Sequence, residues 1–216
     1  MTLIRWEQYR NKQQEESWMI PLGYMYKSVG PLIRSDLPDS IVDFHTLGEC
    51  SGNSTQDFAN YIPFFKHNGW GLYNSPRVMQ EIAVENNIDL SEMQCFYYEA
   101  YRSEFDFPER IGKAPAKINQ ESWKGVWKPL LAQDAFTTDI VVPETKNLSG
   151  FDVVEHTGGS TFECSLIACS DLVHKWKLNS HGLFATFDEA KSAVETGLFH
   201  DHEPGPYRIV AVYTLD

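Results

Sequence analysis

GFDVVEHTGGSTFECSLIA (residues 150–168), TFDEAKSAVETG (186–197) and GPYRIVAVYTL (205–215) are the segments whose reading decides the fold. Val153, Val154 and Phe162 flank Gly158-Gly159, a dipeptide that supplies the positive φ angles of a tight hairpin turn. Thr186 and Glu189 stand three residues apart at the start of an apolar-periodic run. This is a capping box, in which hydroxyl and carboxylate satisfy free N–H groups reciprocally. Ala190, Ala193 and Val194 fall on one face of the predicted helix, and Gly197 sits where a helix ends. In the last run Ile209, Ala211, Tyr213 and Leu215 alternate with Val210 and Val212. Both faces are apolar, which predicts a central strand covered on both sides. Residues 150–216 therefore read as a β-hairpin–helix–strand (ββαβ) unit.

Upstream the signals are weaker. Leu3, Trp6 and Tyr9 have helical spacing, so residues 3–16 suit a short amphipathic helix. WMIPLGYMYKSVGPL (18–32) is interrupted by Pro21, Gly23, Gly30 and Pro31 and predicts short strands or extended loop. Ile41–Val42 suggests a brief strand, and residues 57–65 a helical turn stopped by Pro63. Ser75 as N-cap, Pro76 at the first helical position and an apolar face of Val78, Met79, Ile82 and Ala83 predict a helix over 76–86. The aromatic run from Met93 predicts a strand with a bulge. Pro108–Pro129, with Trp123 and Trp127, reads as a long surface loop, and Thr138–Val142 as a short strand. No internal repeat is evident. The expected fold class is α+β: a mainly antiparallel sheet with a few short helices. The 216 residues form a single domain, with an N-terminal lobe over 1–112 and the ββαβ unit over 150–216.

A net charge of −12, spread over both halves of the chain, excludes a phosphate-binding surface built of clustered Lys and Arg; no nucleic-acid partner is expected. The same field attracts basic partners. The N-terminus has no apolar core of a secretory signal, and no apolar run approaches the roughly 18 residues needed to span a bilayer, so a cytoplasmic protein without a membrane partner is expected. Cys50, Cys95, Cys164 and Cys169 form no dense disulfide framework and read as reduced thiols.

Cys164-x4-Cys169-x4-His174-x6-His181 has the residue types of a zinc site but not the usual spacing. His200 and His202 could share a metal on an extended chain, but a polar loop between Gly197 and Pro204 is the favoured reading. No metal or cofactor is expected. No Gly-x-Ser-x-Gly elbow and no phosphate loop occurs, so no catalytic residue is assigned. The outstanding stretch is 85–109. Glu85, Asp89, Glu92, Glu99, Glu104, Asp106 and Glu109 face a single basic residue, Arg102, and aromatic rings are interleaved with them. Tyr98, Glu99, Tyr101, Glu104 and Asp106 are the candidate partner-binding residues: rings provide contact area, carboxylates steering. Two other readings stand beside this one. The rings and paired carboxylates also suit a sugar-cleaving cleft, and a core strand with inward rings and solvated charges needs no function at all.

FDVVEH…FECSLIACSDL…HGLFATFDEAKSAVETGLF…EPGPYRIVAVY resembles a module of small bacterial proteins. With the chain's size and acidity, it is similar to immunity proteins of polymorphic toxin systems. The resemblance covers the last third of the chain. It implies a non-enzymatic protein that binds and neutralises a cognate, basic toxin domain, and it transfers no functional residues. The alternative is a hydrolase acting on a sugar or amide bond through paired carboxylates or a Cys–His site.

Overall fold

The computed structural model describes residues 19–28, 37–47, 68, 70–106, 140–156, 165–168, 171–201 and 207–216. Along them run β1 (Met19–Ser28), α1 (Pro76–Asn86), β2 (Met93–Tyr101), the short α2 (Ser103–Asp106), β3 (Asn147–Glu155), a 3-10 turn (Asp171–Lys175), α3 (Phe187–Glu195), a second 3-10 turn (Leu198–Asp201) and β4 (Tyr207–Thr214). The strands form one antiparallel sheet in the order β1-β2-β4-β3, so the fold is α+β. Strands from both predicted lobes share this sheet and join through β2 and β4.

The strongest local signals hold. The helix over 76–86 forms, and Asn87 closes it in the left-handed region (φ 56°). The capping box of α3 is complete, with Glu189 N–H donating to Thr186 Oγ1 (3.2 Å) and Thr186 N–H donating to Glu189 Oε2 (3.0 Å). β4 is interior and buried on both faces over Tyr207–Val212. Alternation sorts the strands into two layers. Tyr24, Tyr26, Tyr97, Phe151, Val153, Ile209 and Ala211 lie in the clusters that include the apolar faces of α1 and α3. Met25, Phe96, Tyr98, Val154, Val210 and Val212 face the other way, together with Leu47, Trp70, Leu72 and Leu183.

Several expectations change. Residues 19–28 form one ten-residue strand, not several short ones, because the ladder shifts register between Pro21 and Gly23. A proline is tolerated there because β1 is an edge strand. The bulge thus lies in β1, opposite the aromatic run of β2. Residues 41–46 are irregular and lie against Ser180 and His181 through backbone bonds, and 140–142 form no strand. The ladder partner of β3 is β4; an antiparallel bridge joins Val154 to Ser165, and the Gly158-Gly159 turn between them lies outside the described residues. So do the expected helix over 3–16, the turn at 57–65 and the loop with Trp123 and Trp127.

A further change is that the chain contains a repeat. Asn68 accepts N–H bonds from Trp70 and Leu72 on Oδ1, and its Nδ2 donates to Leu22 O (2.8 Å). Asn179 accepts from His181 and Leu183 on Oδ1, and its Nδ2 donates to Ser149 O (2.7 Å). Each loop then bridges to its edge strand, Tyr73 to Tyr24 and Phe184 to Phe151, and runs into a helix. At the bulges Gly23 (φ 132°) and Gly150 (φ 148°) have no room for a side chain: a Cβ would lie 2.7 Å from Tyr73 O or Phe184 O, respectively. The registers agree with a twofold axis. Gly23 faces Tyr98, Gly150 faces Val212, and Tyr98 faces Val212. The flanking pairs Tyr97–Tyr213 and Glu99–Ala211 exchange under the same rotation. The sheet is therefore two strand–loop–helix–strand units related by a pseudo-twofold axis between Tyr98 and Val212.

Candidate functional site

The pseudosymmetry breaks at one place, and ionisable groups gather there. Repeat one has Trp70 where repeat two has His181, each two residues after the structural asparagine. Segment 41–45 lies along the second loop. Val42 N–H donates to Ser180 O (2.9 Å) and His45 N–H to His181 O (3.1 Å). Phe44 packs over Gly182, where a Cβ would be 2.5 Å from the ring.

These contacts align four side chains. Ser149 Oγ lies 3.1 Å from His45 Nδ1. His45 Nε2 lies 3.4 Å from Asp43 Oδ2, and Asp43 Oδ1 lies 2.6 Å from His181 Nδ1. Ser149 is the extra residue of the bulge between Leu148 and Gly150, which turns its side chain out of the ladder pattern. The rings of His45 and His181 stack at 4.0 Å, and Phe96 meets His45 edge-on at 4.8 Å. His45 is buried, while the His181 side chain is 36% exposed. Burial, reinforced by the neighbouring His181, lowers the His45 pKa to about 4, so the ring is neutral at pH 7.

A second buried polar group adjoins the first. The Lys27 ammonium donates to Thr46 O. Asp152 accepts from Leu47 N–H (2.7 Å) and from Ser165 Oγ (2.8 Å). Burial raises the Asp152 pKa to about 7, against the opposing pull of those hydrogen bonds and of Lys27. The arrangement provides a neutral imidazole, a carboxylate and an accessible imidazole converging within 4.8 Å: groups suited to holding a cation or moving a proton.

The candidate partner-binding residues lie elsewhere and do not make one exposed face. Tyr98 is fully buried on the face away from the helices. Glu99, 5% exposed, accepts from Tyr97 Oη (3.1 Å) and pairs with Lys146 (2.5 Å). Lys146 also lies 4.4 Å above the Tyr213 ring. Tyr101 is half-buried, edge-on to Phe187 at 4.6 Å. Glu104, 3% exposed, accepts from Ile209 N–H (3.1 Å) beside Arg208. The side chain of Asp106 lies outside the described residues. Successive strand residues point to opposite faces, and Glu99 and Glu104 satisfy buried donors, so these side chains serve the fold.

Of the sequence-level metal candidates, His174 is exposed on a 3-10 turn, and Cys164, Cys169 and His202 lie outside the described residues, as does the side chain of His200. Among the described residues His181 is joined by Asp43 and His45, a grouping the sequence reading did not make. Asp43-x-His45 has the alternate spacing that puts two side chains on one side of an extended chain, but nothing in the sequence links it to a residue 136 positions on. No known protein family, curated protein or solved structure matches the chain, so its function has to be argued from these residues.

Proposed function

We propose that the protein is a non-enzymatic binding protein that captures a basic protein partner, and that it acts as an immunity protein neutralising a cognate toxin domain. The observation that supports this most is where the charge lies. Among the described residues the buried charged groups are Lys27 and Arg208 against Glu99, Glu104, Asp152 and Glu155. That balance accounts for only two of the chain's twelve surplus negative charges. The surplus outside this buried set steers a cationic partner and discriminates against acidic ones. The test is co-expression with the toxin domain encoded beside the chain. Rescue of growth, together with a complex whose association slows with salt, supports the reading. Growth arrest with no complex formed at low salt overturns it.

A second reading, a hydrolase, is favoured by one specific observation: Ser149, His45 and Asp43 stand in hydrogen-bonded order. It ranks second because His45 is buried, away from the solvent that would deliver a substrate. A panel of chromogenic esters and amides tests it; turnover abolished by Ser149→Ala would bring it to first place.

A further inference from the structure

We propose that Asp43, His45 and His181 form a binding site for a divalent transition-metal ion of the zinc class. Their donor atoms, one from each residue, all lie within 4.8 Å of one another. Two imidazoles and a carboxylate are a donor set suited to Zn²⁺, Co²⁺ or Ni²⁺, and three protein ligands leave a position for water or for a group from a partner.

The site is built rather than accidental. His181 is held by the Asn179 side chain, which accepts its backbone N–H (2.9 Å), and by the His45–His181 backbone bond. Asp43 and His45 are brought to it by segment 41–45, whose backbone is tied to Ser180 and His181 and whose Phe44 is packed over Gly182. Ser149 supplies the outer contact that metal-ligating histidines require. Its hydroxyl can accept a hydrogen bond from His45 Nδ1–H, which leaves the Nε2 lone pair directed at Asp43. His181 ligates through Nδ1 when its proton resides on Nε2. The partial exposure of His181 gives an ion a way in.

The ion would clamp segment 41–45, which lies between β1 and the loop of the first repeat, onto the loop of the second. Among the described residues the first repeat has no counterpart of the site, because Trp70 occupies the position of His181. The proposal is independent of the partner-binding reading: a toxin-neutralising protein and an enzyme could equally be clamped this way.

The test uses the full chain, stripped of metal with EDTA and titrated with Zn²⁺ in competition with a chromophoric chelator. Parallel titrations use His181→Ala, His181→Gln and Asp43→Asn, each checked for native far-UV circular dichroism. Changing an outer-shell partner alone weakens metal binding about tenfold to a hundredfold, so loss of a ligand should weaken it at least ~10-fold. One equivalent of Zn²⁺ bound by the wild type and weakened to that extent in the variants supports the site. Co²⁺ should give visible d–d bands without the near-ultraviolet charge transfer of a thiolate ligand. No binding at micromolar Zn²⁺, equal binding in all the variants, or a thiolate band placing the ion on cysteine would overturn it. Should Asp43→Asn fail to fold, the two His181 variants decide alone, since that side chain is the most exposed of the three.

Discussion

Asn68 and Asn179 each do the work of a short strand with one side chain. Each amide accepts two backbone N–H groups of its own loop and donates to the carbonyl of a bulge residue, Leu22 or Ser149. Replacing either by Ala strands those partners with no equivalent acceptor or donor, and an unmade buried hydrogen bond costs about 1–3 kcal/mol. Asn68→Ala and Asn179→Ala should therefore destabilise the chain by similar amounts, about 2–3 kcal/mol each, in urea denaturation. A large inequality would mean that the two loops are not energetic equivalents. Asp152 makes a pH-dependent prediction. Its folded pKa of about 7 lies above its unfolded value, so between roughly pH 4 and 7 the native state holds a proton that the unfolded chain releases. Its contribution is therefore most favourable below pH 4 and falls as pH rises through 7, by up to roughly 4 kcal/mol. The stability difference between wild type and Asp152→Asn isolates this term, and it should move against the wild type as pH climbs from 4 to 7.

The two long helices are capped differently. Thr186 and Glu189 exchange side chain-to-backbone bonds at the start of α3, so Thr186→Ala should cost about 1 kcal/mol. Ser75 takes the same position before α1 but makes no side-chain cap bond; there Pro76 fixes the first turn. Ser75→Ala should therefore stay within a few tenths of a kcal/mol, and thermal melts of the two variants check the contrast. The edge strands show the same economy. β1 and β3 are each bridged on their outer side by the loop that follows, Tyr73 on Tyr24 and Phe184 on Phe151. That bridging covers part of a surface that would otherwise invite pairing with another chain.

For the molecule as a whole, the pseudo-twofold axis and the charge matter most. β2 and β4 meet at the axis, and their outward neighbours β1 and β3 complete the sheet on either side. On the proposed reading, the net charge of −12 makes capture of a basic partner a matter of long-range attraction. Raising salt from 50 to 500 mM should lower the association rate by about tenfold or more and change dissociation far less, as stopped-flow mixing would show. Glu99→Gln and Glu104→Gln are expected to lower stability rather than capture rate, because each carboxylate is buried on a partner inside the fold: Lys146 for one, Ile209 N–H for the other.

The sequence by itself determined what local physics can determine. The helix over 76–86, the capping box at Thr186, the end of α3 near Gly197 and the two-faced apolar strand at the C-terminus are set by residues within a few positions of each other. The repeat leaves only a short trace in the sequence. Asn68, Gly71, Leu72, Tyr73 and Ser75 match Asn179, Gly182, Leu183, Phe184 and Thr186 in order and spacing, each run ahead of a helix. Its meaning was hidden because the flanking strands share almost no residue types, only a glycine at the bulge. Only the tertiary structure decided the rest. Packing on both faces of the sheet put the neighbours Tyr98 and Glu99 inside the protein, and α2 brought Glu104 inside with them. Backbone bonds between residues 42–45 and 180–181 brought Asp43 and His45 to His181, a meeting of distant segments that no local pattern encodes.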